Sequence, residues 1–121
     1  MSHLVTIRTQ IRDSEAVKTA CNVLGLKEPT HGKAQVFQKE VEGTIVHLPF
    51  WRFPVVIDLT TGTLHYDNWE GRWGNQEDLH RFTQRYAVEK SILEGRKQGH
   101  SVQEQSLPDG SIRLLFQVAG A

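Results

Sequence analysis

The sequence predicts an α+β domain in which two helices pack on one face of an antiparallel sheet of five to six strands. Segments with period-two alternation lie before, between and after two segments with helical periodicity. Short turn sequences separate most neighbouring β-like segments, which is typical of antiparallel hairpins rather than of a parallel sheet. The length of 121 residues suits one domain, so residues 1–121 are predicted to form a single domain.

The first strand and the first helix are predicted near the start of the chain. β-branched residues alternate along HLVTIRTQI, residues 3–11, which indicates a half-buried strand. Apolar residues then recur at helical spacing: Val17, Ala20, Cys21 and Leu24. Asp13 or Ser14 can cap the start of this helix, and Gly25 suits its end.

The middle of the chain is predicted to contain two hairpins. Residues 27–34, KEPTHGKA, contain Pro and Gly and are expected to form a loop before them. The first hairpin is expected to turn at Glu42–Gly43 and the second near Thr61–Gly62. Pro49 and Pro54 bracket FWRF, and neither can donate to a strand ladder, so this segment is predicted to be a loop, a bulge or an edge.

A long second helix and a last hairpin complete the predicted fold. The helix is expected over residues 76–98, with Asn75 as its cap and Gly99 at its end. One face of it carries an apolar stripe of Leu79, Phe82, Tyr86 and Leu93. The segment SVQEQSLPDGSIRLLFQV then indicates a strand, a Pro-Asp-Gly turn and a strand.

Three blocks of the sequence resemble a known family. They are MSHLVTIRTQIRDSEAVKTACNVLGL at the start, FTQRYAVEKSILEGRKQGHSV in the second helix and DGSIRLLFQV at the end. Together they are similar to the small hypothetical-chloroplast-frame family, which is encoded in some algal plastids, in cyanobacteria and in other bacteria. The middle departs from the family pattern at LPFWRFP and NWEGRWGNQ, where only Trp69 with Asp67 loosely matches. The resemblance implies a single domain of unknown function and implies no reaction.

Charge and composition disfavour several classes of protein. Fourteen basic residues balance fourteen acidic ones, which argues against strong nonspecific binding to nucleic acid or to anionic membranes. The single cysteine, Cys21, has apolar neighbours, is expected to be buried and cannot form an internal disulfide. No apolar run approaches the roughly 18 residues of a membrane span, and the start lacks a signal-peptide pattern. We therefore expect a cytoplasmic protein, or a stromal one if it is plastid-encoded.

Four residues of the second helix are predicted to bind a protein partner. They project away from the apolar stripe and are Arg81, Arg85, Val88 and Ile92. Aliphatic side chains beside arginines are typical of interface cores. Two alternatives remain: the arginines solvate this face with support from nearby glutamates, or the two aliphatic residues contact the chain's own loops. The leading hypothesis is a non-enzymatic accessory or adaptor domain that binds another protein.

Two other functions remain open. His65 and Asp67 are two residues apart on a predicted strand and could act as an acid/base pair in a small enzyme. Single-stranded nucleic acid could stack on a cluster of aromatic and basic residues, although these rings could instead fill the core or cover the sheet. The cluster comprises Phe50, Trp51, Arg52, Phe53, Tyr66, Trp69, Arg72 and Trp73. Neutral net charge and the lack of an RNA-binding motif disfavour the nucleic-acid hypothesis.

No metal or cofactor is expected. The six histidines include no HxH or HxxxH pair, which predicts that the protein binds no structural zinc. The sequence contains no G-x-S-x-G motif, no Walker loop and no dinucleotide glycine fingerprint.

Overall fold

A computed structural model describes residues 3–118 of the chain. Met1 and Ser2, which begin the family-like Met-Ser-His start, lie outside the described residues, as do residues 119–121. The elements in chain order are β1 (Val5–Arg8), α1 (Ser14–Val23), β2 (Thr30–Val36), β3 (Lys39–Val46), β4 (Val55–Asp58), β5 (Thr63–Tyr66), a short 3₁₀ turn (Trp69–Gly71), α2 (Gln76–Lys97), β6 (Ser101–Ser106) and β7 (Ile112–Gln117).

The predicted α+β class is confirmed. Five strands form one antiparallel sheet in the order β1-β5-β4-β3-β2, and β6 pairs with β7 in a separate hairpin. Both helices pack on the same face of the five-stranded sheet, because one apolar core joins residues of α1 and α2 to β3, β4 and β5. Neither helix in residues 3–118 is long and apolar enough to cross a membrane.

The helices begin at the predicted caps. The Asp13 carboxylate accepts hydrogen bonds from two backbone amides in the first turn of α1, and the Asn75 side chain accepts one from the backbone N–H of Glu77 in α2. Phe82 lies at the centre of the core with no exposed surface, and the hydroxyl of Tyr86 accepts hydrogen bonds from the backbone amides of Arg12 and Asp13. These bonds fix α2 against the connection between β1 and α1.

The predicted boundaries of the first hairpin are wrong. Residues 30–34, expected to be part of a loop, belong to β2, and Glu42–Gly43, expected to be a turn, lies inside β3. Gly32 and Gly43 face each other across the two strands. A Cβ on Gly43 would lie 2.5 Å from the carbonyl oxygen of Ile57 in β4, so this glycine serves a close strand-to-strand approach rather than a turn.

The hairpin of β2 and β3, here called the β2–β3 arm, folds over the sheet face that the helices leave open. Its tip residue Phe37 contacts the rings of Phe53 and Trp73, with centroids 5.9 and 5.0 Å apart. Val56 points away from the helices, because its neighbour Ile57 points into the helix-side core. Both Val56 and Val36 are nevertheless buried, outside that core. The arm therefore builds a second, smaller apolar layer.

Candidate functional site

The predicted partner face of α2 is largely covered by the chain itself. Val88 is only 6% exposed and Ile92 is half-buried. The β6–β7 hairpin contacts α2 on both sides of these residues: the Gln84 side chain donates to the carbonyl of Gly110, and Gly95 lies against the ring of Phe116. The prediction that the four residues form one exposed face is wrong for Val88, which is buried on the side of α2 that contacts the β6–β7 hairpin.

Arg85 is also bound within the chain. Its two terminal nitrogens donate to the two carboxylate oxygens of Glu104 in β6, at 2.9 and 2.8 Å. A third, longer contact joins it to Glu89 at 3.5 Å, and only 11% of the Arg85 side chain is exposed. The Arg85 guanidinium lowers the pKa of the Glu104 carboxyl by hydrogen bonding. Of the two arginines predicted to bind a partner, only Arg81 is well exposed.

His65 and Asp67 do not share a hydrogen bond. The Nδ1 atom of His65 lies 2.9 Å from the hydroxyl of Thr6 on the neighbouring strand. Asp67 follows the end of β5, is buried, and accepts a hydrogen bond from the backbone amide of Trp69 at 3.1 Å. This bond forms a local side-chain turn that shapes the loop after β5. An acid/base role for the pair stays a prediction, because each of the two side chains has a different hydrogen-bond partner.

Three of the predicted aromatic residues, Phe53, Trp69 and Trp73, do converge. The rings of Phe37, Phe53, Trp69 and Trp73, here called the aromatic cluster, contact one another with centroids 4.8–5.9 Å apart. The guanidinium of Arg52 lies 5.0 Å from the centre of the Trp73 ring, and that of Arg72 lies 4.7 Å from Trp69. The backbone amide of Arg52 donates to the carbonyl of Trp73, which ties the two loops together.

The loop that enters this cluster begins with an unusual turn, Leu48–Trp51. The Trp51 amide donates to the Leu48 carbonyl, Pro49 occupies the second position and Phe50 occupies the third with φ of 61°. Proline cannot adopt a positive φ, so the combination identifies a type II turn, whose third position favours glycine. Phe50 is also fully exposed, at 103% relative accessibility. A large apolar ring therefore stands in solvent at a position that strains its own backbone.

Backbone strain concentrates in this part of the molecule. Among residues 3–118, the non-glycine residues with positive φ are Phe37, Phe50, Trp69 and Glu70. Three of them belong to the aromatic cluster or follow it directly, and Phe50 lies three residues from the cluster member Phe53. Strained positions of this kind persist only where the surrounding structure holds them in place, and they cluster at functional sites.

A shallow groove connects this turn to α2. It has a volume of about 50 Å³ and is lined by Leu24, Leu26, Leu48, Pro49, Asp78 and Arg81. Arg81, whose side chain is 62% exposed, makes one ion pair with Asp78 at 3.3 Å. Arg81 thus lines the groove beside the turn that carries Phe50, whereas Arg85 and Val88 face the β6–β7 hairpin.

Residues 3–118 contain no group of side chains suited to a metal ion, and their one thiol is not activated. Within residues 3–118, no three His, Cys, Asp or Glu side chains are grouped as a metal site would require. Cys21 is buried as expected, and burial raises the pKa of its thiol to about 11, so the reactive thiolate is disfavoured.

The sequence pattern does not distinguish Phe50 from the seven other aromatic and basic residues of the middle segment. In the structure most of the other rings pack on one another, whereas Phe50 is exposed. The available signal was Pro49 followed by Phe, since Pro at the second position of a turn often requires a residue with positive φ at the third.

Comparison with known proteins assigns the family. The chain is 32% identical over 133 residues to the uncharacterized protein ycf35 of Pyropia yezoensis, in an alignment that covers 97% of each chain. The chain belongs to the ycf35 family. The resemblance inferred from the three sequence blocks is therefore confirmed, and the ycf35 relative is itself uncharacterised. No family model and no solved structure matches the chain.

Proposed function

We propose that this ycf35-family protein is a non-enzymatic adaptor domain that binds a protein partner, and that Phe50 is the anchor that enters an apolar pocket of that partner. The single observation that carries the proposal is the Leu48–Trp51 turn. It places a fully exposed phenylalanine at the position where a type II turn favours glycine. Exposed aromatic side chains held by a rigid frame are typical anchors of protein interfaces.

The energetics of the turn support a binding role. A left-handed backbone costs a non-glycine residue about 1–2 kcal/mol. The Phe50 ring is fully exposed in the isolated chain, so burial of the ring does not offset this cost. Burying a phenylalanine at an interface stabilises by about 1.5–3 kcal/mol, so the strained residue becomes favourable only when a partner covers it.

The residues that follow Phe50 are held by contacts with other parts of the chain. The indole nitrogen of Trp51 donates to the carbonyl of Asn75 at the start of α2, at 3.1 Å. On the other side of the loop, Arg52 is held by its backbone bond to Trp73 and by its place over the Trp73 ring. An anchor fixed in this way loses little conformational entropy on binding, which favours affinity.

The charges near Phe50 indicate the chemistry of the partner. Arg52 is exposed on the same loop, and Arg81, one of the residues predicted from sequence to bind a partner, lines the groove beside Pro49. We infer a partner whose apolar pocket has carboxylates on its rim, because arginines at an interface edge pair readily with them. The proposed place of binding is the cytoplasm, or the stroma for a plastid-encoded protein.

The aromatic cluster favours protein binding over stacking of nucleic-acid bases. Its rings contact each other mainly edge to face, with interplanar angles of 49–67°. Arg52 and Arg72 already lie over the faces of Trp73 and Trp69. Base stacking requires open ring faces, and the formal net charge of zero supplies no general attraction for phosphate.

A photo-crosslinking experiment tests this proposal. A benzophenone amino acid replaces Phe50, which keeps an aromatic ring at the tip of the turn, and the tagged protein is irradiated in its native cells. The same substitution at Val23, which is 52% exposed on α1, serves as the matched control. We expect a discrete protein adduct at position 50 that is absent at position 23 and that disappears when Arg52 and Arg81 are also changed to Glu.

Two outcomes would overturn the proposal. The first is an adduct pattern at position 50 that equals the pattern at position 23. The second is an adduct at position 50 that ribonuclease or deoxyribonuclease removes, which would support the nucleic-acid hypothesis instead.

A further inference from the structure

The β6–β7 hairpin has an outer edge that differs from the other strand edges of the molecule. In residues 3–118, β1 and β2 lie at the edges of the large sheet, and β6 and β7 each leave one edge open. Open edges can pair with other chains, so proteins usually keep them short or charged. The sequence of each edge therefore indicates whether it is protected.

Three of these edges carry such protection. β1 is only four residues long and ends at Arg8, and β2 carries exposed His31, Lys33 and Gln35. β6 reads SVQEQS, and its Glu104 is held by Arg85. These strands are short or polar, which discourages pairing with a further strand.

The edge at β7 lacks this protection. β7 reads IRLLFQ and contains one charged residue, Arg113. Leu115 and Phe116 are each 46% exposed, and Val118, just beyond the strand, is 56% exposed. They account for three of the five large apolar side chains that the structure exposes in residues 3–118. An apolar, regular edge of this length is a site for strand pairing.

We propose that two copies of this chain associate through antiparallel pairing of β7 with β7 of the second copy. A two-fold axis at Leu115 places this residue opposite Leu115 of the second copy. The same register places Phe116 opposite Leu114, Val118 opposite Ile112, and Arg113 opposite Gln117. Each of the three exposed apolar residues then faces an apolar residue, and the one charge in the strand faces a neutral amide.

The second copy is the occupant that this edge fits best. Strand pairing about a two-fold axis is self-complementary, so one strand supplies both sides of the interface. A register centred on Arg113 would instead oppose two arginines, and like charges directly opposite each other destabilise a strand pair. Pairing at Leu115 avoids this repulsion and joins two hairpins into a four-stranded sheet, which is more stable than a hairpin alone.

The size of the interface sets the expected affinity. One strand edge with its side chains covers less area than the roughly 1,200 Å² of a stable standard interface, so the association is expected to be weak. A dissociation constant on the order of 10–100 µM corresponds to such a contact. The proposed dimer surface contains none of the residues of the Leu48–Trp51 turn, so it does not depend on the proposed function.

Sedimentation analysis of three purified proteins tests the dimer. The parent is compared with Leu115→Lys and with Gln103→Lys over about 5–500 µM. Gln103 pairs with Leu115 inside the hairpin and shares its face, but it belongs to the polar edge. Both changes are at exposed positions and are expected to preserve the fold, as circular dichroism will check.

We expect the mass of the parent and of Gln103→Lys to rise from monomer toward dimer across this range, and Leu115→Lys to remain monomeric. A parent that stays monomeric at the highest concentration would overturn the proposal. So would equal association of Leu115→Lys and the parent.

A cysteine variant tests the register independently. In the proposed pairing, Leu115→Cys brings two thiols opposite each other, so mild oxidation should give a disulfide-linked dimer. Cys21 is buried and does not compete. Gln103→Cys, on the other edge, should give at least about tenfold less dimer, a difference of about 1.4 kcal/mol in the pairing. Equal yields from the two variants would contradict the register.

Discussion

Among the turns that place a residue in the left-handed region, the turn at Gly62 and the turn at Phe50 differ in which type of residue occupies it. In the turn between β4 and β5 the residue is Gly62, with φ of 78°, and Gly62 is buried. In the turn Leu48–Trp51 the residue is Phe50, with φ of 61°, and its side chain is fully exposed. Local conformational preference is satisfied in the first turn and opposed in the second.

The difference separates a structural position from a candidate functional one. Gly62 is required by packing, because a Cβ at this position would overlap the carbonyl oxygen of Thr9, and the Gly62 carbonyl accepts hydrogen bonds from the amide and the hydroxyl of Thr9. The Phe50 ring is fully exposed, so no packing contact within the chain accounts for a phenylalanine at this position. A residue that opposes a local rule without a gain in the fold points to a role outside the fold.

A core substitution sets the energy scale for this comparison. Phe82 has no exposed surface and lies between α2 and the sheet. Phe82→Ala is expected to lower the free energy of unfolding by about 3–5 kcal/mol, because it leaves a cavity. Denaturant unfolding measures this change, and a midpoint equal to that of the parent would place Phe82 outside the core.

Gly62→Ala is expected to have the next largest effect. The left-handed backbone costs alanine about 1–2 kcal/mol, and the overlap with Thr9 adds to this, for a total of about 3 kcal/mol. Gly110→Ala is the matched control, because Gly110 has φ of 89° but no atom within 4 Å of the added Cβ. Gly110→Ala should therefore lose only the stability that the left-handed backbone costs alanine, about 1–2 kcal/mol. Equal losses in the two variants would show that packing at Thr9 does not matter.

The strain at Phe50 predicts a gain in stability. Phe50→Gly removes a cost of about 1–2 kcal/mol and adds some freedom to the unfolded chain, so the net gain is about 1 kcal/mol. Phe50→Ala also removes the exposed ring but keeps the strained backbone, so its stability should equal that of the parent. Thermal and denaturant unfolding of the three proteins check this difference. A Phe50→Gly variant that is less stable than Phe50→Ala would contradict the strain.

Arg85 contrasts with Phe50, because its two terminal guanidinium nitrogens donate to carboxylate oxygens inside the chain. Hydrogen bonding to Arg85 lowers the pKa of Glu104 in the folded state below its usual value of 4.5. The resulting stability is present above the unfolded-state pKa and is lost as pH falls through the lower folded pKa. Glu104 is 35% exposed, so solvent screening keeps the effect below about 1 kcal/mol.

The pH dependence of Glu104→Gln checks this small contribution. Between neutral pH and about pH 3, the parent should lose more stability than Glu104→Gln, since only the parent has this carboxylate to protonate. Identical losses in the two proteins would show that the Arg85–Glu104 pair does not hold the hairpin to α2.

The sequence patterns correctly predicted those features that depend on residues close together in the chain. The caps Asp13 and Asn75 and the buried residues Leu79, Phe82 and Tyr86 were predicted correctly, because capping and helical periodicity act within a few residues. The turn near Gly62 was also predicted correctly, since glycine there meets a local backbone requirement.

Long-range contacts explain what the sequence could not predict. Gly32 and Gly43 resemble turn residues, but the pairing of β2 with β3 places both inside strands, and Gly43 also packs closely against β4. Val88 and Arg85 resemble an exposed face, but the β6–β7 hairpin folds back onto this side of α2 and Glu104 pairs with Arg85. The exposure of Phe50 depends likewise on the arrangement of neighbouring loops. Only its position after Pro49 was visible in the sequence.

Recovery of the partner by the Phe50→Gly variant tests the central claim most directly. The protein crosslinked through position 50 is quantified after affinity capture with the parent, with Phe50→Gly and with Val23→Ala as the surface control. Phe50→Gly is expected to fold at least as well as the parent yet to recover at least about tenfold less partner, corresponding to about 1.4 kcal/mol of lost anchor contact. Val23→Ala should recover as much as the parent. Equal recovery by Phe50→Gly and the parent would contradict the account, because a folded protein without the ring would still bind.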